Sequence, residues 1–108
     1  MRSIVEKALK RRAARGGQKQ HHAALISKGG RPLAWGINKP GVHAEIAALR
    51  NMPEGGKGCT LHSLRLLPRH GGLGMARPCS RCEVALREAG VRRVVYTNRN
   101  GEWETYFL

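Results

Sequence analysis

The apolar positions of the first fifteen residues follow a helical period. Four of them lie between positions 4 and 9 and form a short stripe, while basic side chains occupy many of the other positions. Apolar residues that recur every three to four positions indicate an amphipathic α-helix. Two consecutive glycines follow, and glycine commonly ends a helix. The pattern therefore predicts a basic N-terminal helix over residues 2–15, within the basic segment 1–17.

The pattern changes near His22, where short apolar runs replace the helical period. Residues 23–27 and 33–37 are such runs, and the turn-forming residues 28–32 separate them. This arrangement predicts a β-hairpin. His21 and His22 precede the first strand and have no matching pair elsewhere in the chain, so we expect neither to bind a metal.

Two more helices and three more strands are predicted downstream of the hairpin. The helices are predicted over residues 42–50 and 79–90, and the strands over residues 59–67, 91–96 and 102–108. Residues 68–77 contain three glycines and are predicted to form a loop.

The order of the elements is thus α-β-β-α-β-α-β-β. Helices after the second and third strands favour a three-layer α-β-α arrangement, an α/β fold around a mixed sheet of five strands. A chain of 108 residues has room for one modest core, so we expect a single domain over residues 1–108. The four-residue link Asn98–Gly101 allows only an antiparallel hairpin between the last two strands.

The charge of the chain bears on its partners. Twenty lysines and arginines are set against seven acidic residues, which gives a formal net charge of +13. This excess favours an anionic partner, either a nucleic acid or a phosphorylated small molecule, although a high charge also aids solubility. Four basic side chains share one side of the N-terminal helix and are candidate contacts to a nucleic-acid backbone: Lys7, Lys10, Arg11 and Arg15.

The cysteines and the hydropathy of the chain indicate the cellular compartment in which the protein folds. Three cysteines are an odd number, and two of them form a C-x-x-C motif, which favours metal binding in a reducing compartment over a disulfide framework. We expect the third, Cys59, to be a small buried apolar residue. No apolar run has the length of a signal peptide core or a membrane span. We therefore expect a soluble, cytoplasmic protein with no membrane partner.

The candidate chemistry combines the C-x-x-C motif with a distant histidine. Cys79 and Cys82 stand at positions i and i+3 in the first turn of a predicted helix, so both sulfur atoms can reach one metal ion. The helix N-terminus favours their thiolate form. His43 supplies a third ligand, and no fourth falls at a finger-like spacing, which leaves one position for water, as in a catalytic zinc site. A lone C-x-x-C would suit a redox or structural zinc site equally well.

The combination of H-x-E with P-C-x-x-C is typical of the zinc-dependent nucleobase deaminases. In Val42–Ile46 and Pro78–Cys82 the sequence resembles the cytidine and deoxycytidylate deaminase superfamily, and the resemblance extends over residues 22–108. It implies the deaminase fold, a Zn²⁺ cofactor and a homo-oligomer, either a dimer or a tetramer.

The resemblance also implies roles for residues beside the metal ligands. Glu45 would carry protons between water, the base and the leaving ammonia without binding zinc. Asn38 matches an asparagine that the family uses to contact the sugar or the base, and the backbone N–H of Ala44 would contact the base. His62 and His70 are candidates for substrate contact or have no role.

The link between the last two strands differs between the branches of the superfamily. The tRNA adenosine deaminases and the deoxycytidylate deaminases place a helix between their last two core strands, which makes those strands parallel. The short link in this chain is instead similar to the cytidine deaminase branch, which ends in an antiparallel hairpin.

The predicted function is zinc-dependent hydrolytic deamination of cytosine to uracil. The cytosine would belong to a single-stranded nucleic acid, which suits the charge, or to a nucleotide. The aromatic share of 5% counts against the nucleic acid, because single-strand binders usually stack bases on several aromatic side chains. The alternatives are an adenosine deaminase acting on RNA and a non-catalytic, zinc-stabilised module that binds nucleic acid. The carboxyl group of Glu45 argues against the second alternative, because a structural zinc site has no use for it.

Overall fold

Three helices and six strands make up the described part of the chain, residues 2–15, 21–52, 57–67 and 72–108 of a computed structural model. In chain order they are α1 (Arg2–Arg15), β1 (His21–Lys28), β2 (Arg31–Ile37), α2 (Ala44–Arg50), β3 (Thr60–Leu66), β4 (Leu73–Gly74), α3 (Ser80–Glu88), β5 (Arg93–Thr97) and β6 (Trp103–Phe107). The predicted order is confirmed, with β4 as an addition. None of the described helices is long and apolar enough to span a membrane.

The additional strand β4 lies in the segment that was predicted to be a loop. It pairs antiparallel with the end of β3, where Leu73 stands opposite Leu66. The hydroxyl group of Thr97 donates a hydrogen bond of 2.6 Å to the carbonyl oxygen of Gly74, which ties β4 to the end of β5. A strand of two residues is too short to carry a periodic pattern, and tertiary hydrogen bonds of this kind define it. His70 and the residues around it, 68–71, lie outside the described residues.

The strands form one sheet in the order β2-β1-β3-β5-β6, with β4 beside β3. β3 and β5 run parallel, whereas the other paired strands run antiparallel. The predicted hairpin of β5 and β6 is therefore confirmed. The side-chain oxygen of Asn98 stabilises its turn by accepting hydrogen bonds from the backbone N–H groups of Asn100 and Glu102, both at 2.9 Å.

Helices cover both faces of the sheet, as alternate residues of β1 show. Ala23 and Leu25 pack with Leu9 of α1 on one face. Ala24 and Ile26 face the other way and pack with residues of α2 and α3. Because β1 is covered on both faces, its sequence is a continuous apolar run and not an alternating one. The predicted three-layer α-β-α fold is confirmed.

The contact between α2 and β2 depends on Gly36. A Cβ atom at this position would overlap the carbonyl oxygen of Ala44 and the amide nitrogen of Ala48 in α2. Backbone atoms of a packed helix cannot move aside as the end of a flexible side chain can, so only glycine permits this approach. Since α2 follows directly from residues 38–43, its distance from the sheet also determines where His43 lies.

We therefore expect Gly36→Ala to lower the free energy of unfolding by about 2 kcal/mol or more, because the added methyl group forces α2 away from the sheet. Urea unfolding in zinc-containing buffer measures this change. Gly72→Ala is the matched control, because a Cβ atom at Gly72 meets nothing within 4 Å. Equal stabilities of the two variants would contradict the proposed packing constraint.

Candidate metal centre and active site

The directions of the strands bring the starts of two helices together. β2 and β3 both run antiparallel to β1, so their carboxyl ends lie at the same edge of the sheet. α2 follows β2, and α3 follows β3 and β4, which places both helix N-termini at this edge. His43 occupies the N-cap position of α2 and Cys79 that of α3, and neither side chain makes a capping hydrogen bond. Their donor atoms can therefore bind a ligand.

His43, Cys79 and Cys82 form the one cluster of three or more potential metal ligands in the described residues. Their ligand atoms all lie within 4.8 Å of one another. The Nδ1 atom of His43 is 3.2 Å from the sulfur of Cys82 and 3.7 Å from that of Cys79. Tetrahedral zinc with ordinary bond lengths separates a nitrogen and a sulfur ligand by about 3.5 Å. The donors thus match zinc in both chemistry and spacing.

The surroundings of the cluster differ between its two sides. His43 and Cys79 are exposed, whereas Cys82 is buried. Burial, and after it the negative charge of Glu45, raises the pKa of the Cys82 thiol to about 12. A cation bound at the sulfur offsets both effects, because it stabilises the thiolate. The exposed side gives a small molecule access to the cluster.

The segment that leads into α3 is held between neighbouring strands. The N–H group of Ala76 donates a hydrogen bond of 2.8 Å to the carbonyl oxygen of Thr97, and its own carbonyl oxygen accepts one of 2.7 Å from Ser63. The guanidinium group of Arg77 lies 4.3 Å from the ring centroid of Tyr106. These contacts limit the motion of the backbone segment that immediately precedes Cys79.

Glu45 lies in the first turn of α2, beside the metal cluster and outside it. Its side chain is only 2% exposed, and Oε1 has no hydrogen-bond partner within the described part of the chain. Burial raises the pKa of its carboxyl group. A buried polar atom without a partner costs free energy and is therefore a common sign of a functional site.

His22 is a residue of this site that we did not predict. Its Nδ1 atom lies 3.7 Å from Oε1 of Glu45, and its Nε2 atom lies 2.6 Å from the hydroxyl oxygen of Ser63. Burial, followed by the positive charges of Arg65 and His43, lowers the pKa of its imidazole to about 4. His22 shares the face of β1 that carries Ala24, and this alternation is the signal that could have placed it beside α2.

The two predicted substrate contacts lie at the same edge as the metal cluster. Asn38 follows β2, and its backbone N–H donates a hydrogen bond of 3.1 Å to the carbonyl oxygen of His22. Ala44 is the first residue of α2 and is fully buried. Their contacts with a substrate stay predictions.

The predicted nucleic-acid contacts lie on the other face of the sheet from α2 and α3, because they belong to α1. Lys7, Arg11 and Arg15 are exposed, whereas Lys10 forms an ion pair of 3.3 Å with Glu6. Their binding of nucleic acid stays a prediction. His62 also points away from the metal cluster, into a cavity of about 440 Å³ on the α1 face, 3.1 Å from the hydroxyl oxygen of Ser27.

Comparisons with known proteins identify a family and a similar fold. Residues 2–98 match the model of a family described as the cytidine and deoxycytidylate deaminase zinc-binding region. Two structures of a dCMP deaminase from the cyanophage S-TIM5 have a similar fold. Its apo form is 22% identical, with a TM-score of 0.67 over 92% of this chain and 86% of that chain. Its complex with dCMP and dUMP is also 22% identical, with a TM-score of 0.66 over 90% and 82%. No curated protein sequence matches the chain.

We expect one zinc ion per chain, bound through His43, Cys79 and Cys82. Replacing Cys79 or Cys82 with serine should reduce the zinc content to well below half an ion per chain, because zinc prefers the softer thiolate ligand. Elemental analysis of the purified proteins measures the content. Cys59→Ala is the control, because Cys59 is buried in the core and does not belong to the cluster. A zinc content that depends on Cys59 would contradict the assignment.

Buried His22 should make the stability depend on pH. Its pKa is about 4 in the folded chain, against an ordinary value of 6.5, so the unfolded chain binds a proton there that the folded chain does not. The free energy of unfolding should therefore fall by on the order of 2–3 kcal/mol as the pH drops from 6.5 to 4.

Urea unfolding at pH 4.5 and 7 tests this dependence. In His22→Leu the free energy of unfolding should no longer fall by this amount at the lower pH, whereas in His21→Leu it should fall as in wild type. Equal losses in wild type and His22→Leu would contradict a buried, neutral His22.

Proposed function

The chain belongs to the cytidine and deoxycytidylate deaminase family, and we propose that it deaminates the cytosine of a phosphorylated substrate by hydrolysis, leaving uracil and releasing ammonia. The family predicted from the two motifs is confirmed, and so is its zinc cofactor, for which the three donors are positioned. The observation that carries the proposal is the position of the buried Glu45 carboxyl group, two residues beyond a metal ligand at the start of α2.

The three donors account for one part of the chemistry. His43, Cys79 and Cys82 would hold a zinc ion, which would supply the Lewis acidity that makes water a nucleophile near neutral pH. Three protein ligands would leave one coordination position for water, as catalytic zinc sites do and closed structural sites do not. The exposure of His43 and Cys79 allows a base to approach from the solvent side.

Glu45 accounts for the proton transfers. In our proposal its carboxylate accepts a proton from the water that attacks C4 of cytosine and delivers it to N3 of the ring. It then transfers the second proton of that water to the amino group at C4. The C4–N bond breaks, ammonia leaves and the C4 oxygen remains as the carbonyl group of uracil. One carboxyl group can serve all these transfers, because it lies beside the cluster and binds no metal itself.

The charge near the metal cluster supports a phosphate on the substrate. Lys39, Arg77 and Arg81 lie within four residues of a ligand in the sequence, and all three are exposed. The S-TIM5 dCMP deaminase, which has a similar fold, was solved in complex with dCMP and dUMP. A phosphate bound by one or two of these cations would distinguish a nucleotide from a nucleoside. We therefore propose a cytosine mononucleotide as the substrate.

A single-stranded nucleic acid is the second candidate, and the charge on α1 favours it. Three of the four basic side chains predicted to contact nucleic acid are exposed there, in a chain with a net charge of +13. These side chains lie on the opposite face from α2 and α3, so a polynucleotide would have to pass around the edge of the sheet to reach both surfaces. A mononucleotide needs only the cations beside the cluster.

The homo-oligomer and the single domain stay predictions. β6 is an edge strand of the sheet, and Phe107 on it is 71% exposed, which supports contact with a second chain.

We expect Glu45→Gln to bind zinc normally and to lose at least about 100-fold in kcat, because the amide cannot move protons. Uracil formation from deoxycytidine monophosphate measures the rate, and elemental analysis measures the zinc. Glu88→Gln, an exposed residue of α3, is the matched control and should keep wild-type activity. A near-normal rate in Glu45→Gln would refute the proposed mechanism.

We also expect kcat/KM to be about 10- to 100-fold higher for deoxycytidine monophosphate than for deoxycytidine, because hydrogen bonds to a charged group are worth about 1.5–3 kcal/mol. Replacing Lys39 or Arg81 with glutamine should raise KM for the nucleotide alone. Arg99→Gln, in the turn between β5 and β6, is the control.

A cytosine-containing oligonucleotide tests the second candidate. Preference for the oligonucleotide, with binding that weakens steeply with salt, would overturn the mononucleotide proposal. Loss of that salt dependence when Lys7, Lys10, Arg11 and Arg15 are all replaced with glutamine would assign the contact to α1.

A further inference from the structure

His22 lies behind the Glu45 carboxyl group, on the face of the sheet that carries α2. We propose that His22 is a positioning residue, which holds the Glu45 carboxyl group through Oε1 while Ser63 fixes its own ring. The inference rests on the proposed role of Glu45 and adds to it the residue that keeps the carboxyl group in place as its charge changes.

The contacts of Ser63 fix the orientation of the imidazole ring. The hydroxyl oxygen of Ser63 lies 2.6 Å from Nε2 of His22 and 2.7 Å from the carbonyl oxygen of Ala76. Ser63 is fully buried, and His22 follows the strand alternation that directs its ring towards α2. With Nε2 bonded to Ser63, the remaining ring nitrogen, Nδ1, faces Oε1 of Glu45.

Glu45 needs such a partner. Oε1 is buried and has no hydrogen-bond partner among the described residues, and Nδ1 of His22 lies 3.7 Å from it. A closure of roughly 0.8 Å would bring the two atoms to an ordinary hydrogen-bond length. Catalytic hydrogen bonds are often long before the substrate binds and shorten in its presence.

A neutral imidazole can serve Oε1 in either charge state of the carboxyl group. One of its ring nitrogens carries a hydrogen and can donate, and the other carries a lone pair and can accept. The surrounding hydrogen bonds decide which nitrogen carries the hydrogen. With the hydrogen on Nδ1, His22 donates to a carboxylate, and the Ser63 hydroxyl hydrogen turns from the carbonyl oxygen of Ala76 to Nε2. With the hydrogen on Nε2, His22 accepts from a carboxylic acid, while Nε2 donates to Ser63 and Ser63 donates to Ala76. Burial lowers the pKa of His22 to about 4, so the ring stays neutral at physiological pH.

The position of His22 also links the proton-carrying group to the substrate side of the pocket. Its carbonyl oxygen accepts a hydrogen bond of 3.1 Å from the backbone N–H of Asn38, the predicted contact to the sugar or base. A small shift of the β1 end would therefore move Glu45 and Asn38 together.

The test compares variants of His22 and Ser63 in steady-state turnover of deoxycytidine monophosphate by the zinc-loaded protein. We expect His22→Leu to lower kcat about 10- to 100-fold, with KM and zinc content near those of wild type. His22→Asn should recover most of the rate, because its amide nitrogen or oxygen can occupy the place of Nδ1. Ser63→Ala should lower kcat by a smaller factor, because the ring loses its anchor. His21→Leu is the matched control on the opposite face of β1.

A merely structural role would give a different result. It would lower the amount of folded, zinc-loaded protein, with kcat per zinc unchanged and His22→Asn no better than His22→Leu. In the Glu45→Gln background, His22→Leu should have no further effect on the residual rate, because the two residues act as one unit. An additive loss there, or a wild-type kcat per zinc in His22→Leu, would overturn the inference.

The positioning role and the proposed function fail in different ways. If the wild-type protein turns over no cytosine compound, the proposed function is wrong. If it is active and His22→Leu matches it, the function stands and the positioning role is wrong. Should His22→Leu fail to fold, the comparison of His22→Asn with His22→Ala decides. The inference predicts the larger loss of kcat per zinc in His22→Ala, and equal values in the two variants would overturn it.

Discussion

The meeting of two helix N-termini at one edge of the sheet is the constraint on which the site depends. It follows from strand direction, because β2 and β3 both run antiparallel to β1. The chain then enters a helix on the same face, directly after β2 and by way of β4 after β3. The ligand atoms of a histidine at one helix start and of two cysteines at the other therefore lie within 4.8 Å of one another. The positions of the two helices bring them together. Gly36 sets the height of α2 above the sheet, so a backbone contact in the core also determines the geometry of the metal ligands.

Stability and chemistry make opposite demands on the polar groups behind the ligands. Glu45 and His22 take up space at the sheet–helix interface that apolar side chains would fill at no desolvation cost. Oε1 of Glu45 has no hydrogen-bond partner in the described part of the chain, and the pKa of His22 is lowered to about 4 by burial. A chain of 108 residues has little stability to spare, and zinc bound to the folded state offsets part of the cost.

The motif residues could be predicted from the sequence because their chemistry is local. Cys79 and Cys82 are three residues apart at a helix start, so spacing alone brings their sulfur atoms together. The roles of His43 and Glu45 were predicted from the resemblance of H-x-E with P-C-x-x-C to the deaminases. His22 could not be found in this way, because its partner Ser63 lies 41 residues away and the contact exists only through the register of β1 with β3. β4 was missed because two residues carry no period, and hydrogen bonds from distant residues such as Thr97 define it.

We infer that one zinc ion, bound by three ligands beside Glu45, makes this chain a cytosine deaminase. A zinc titration is the decisive experiment. A chelator first removes the metal from the protein, and zinc is then added in steps. After each addition, uracil formation is recorded with deoxycytidine monophosphate and with a cytosine-containing oligonucleotide. We expect no turnover without zinc. On at least one of the two substrates, the rate should rise in proportion to the added zinc and level off at one ion per chain. Turnover that survives complete removal of zinc, or its absence on every cytosine compound at full zinc loading, would contradict it.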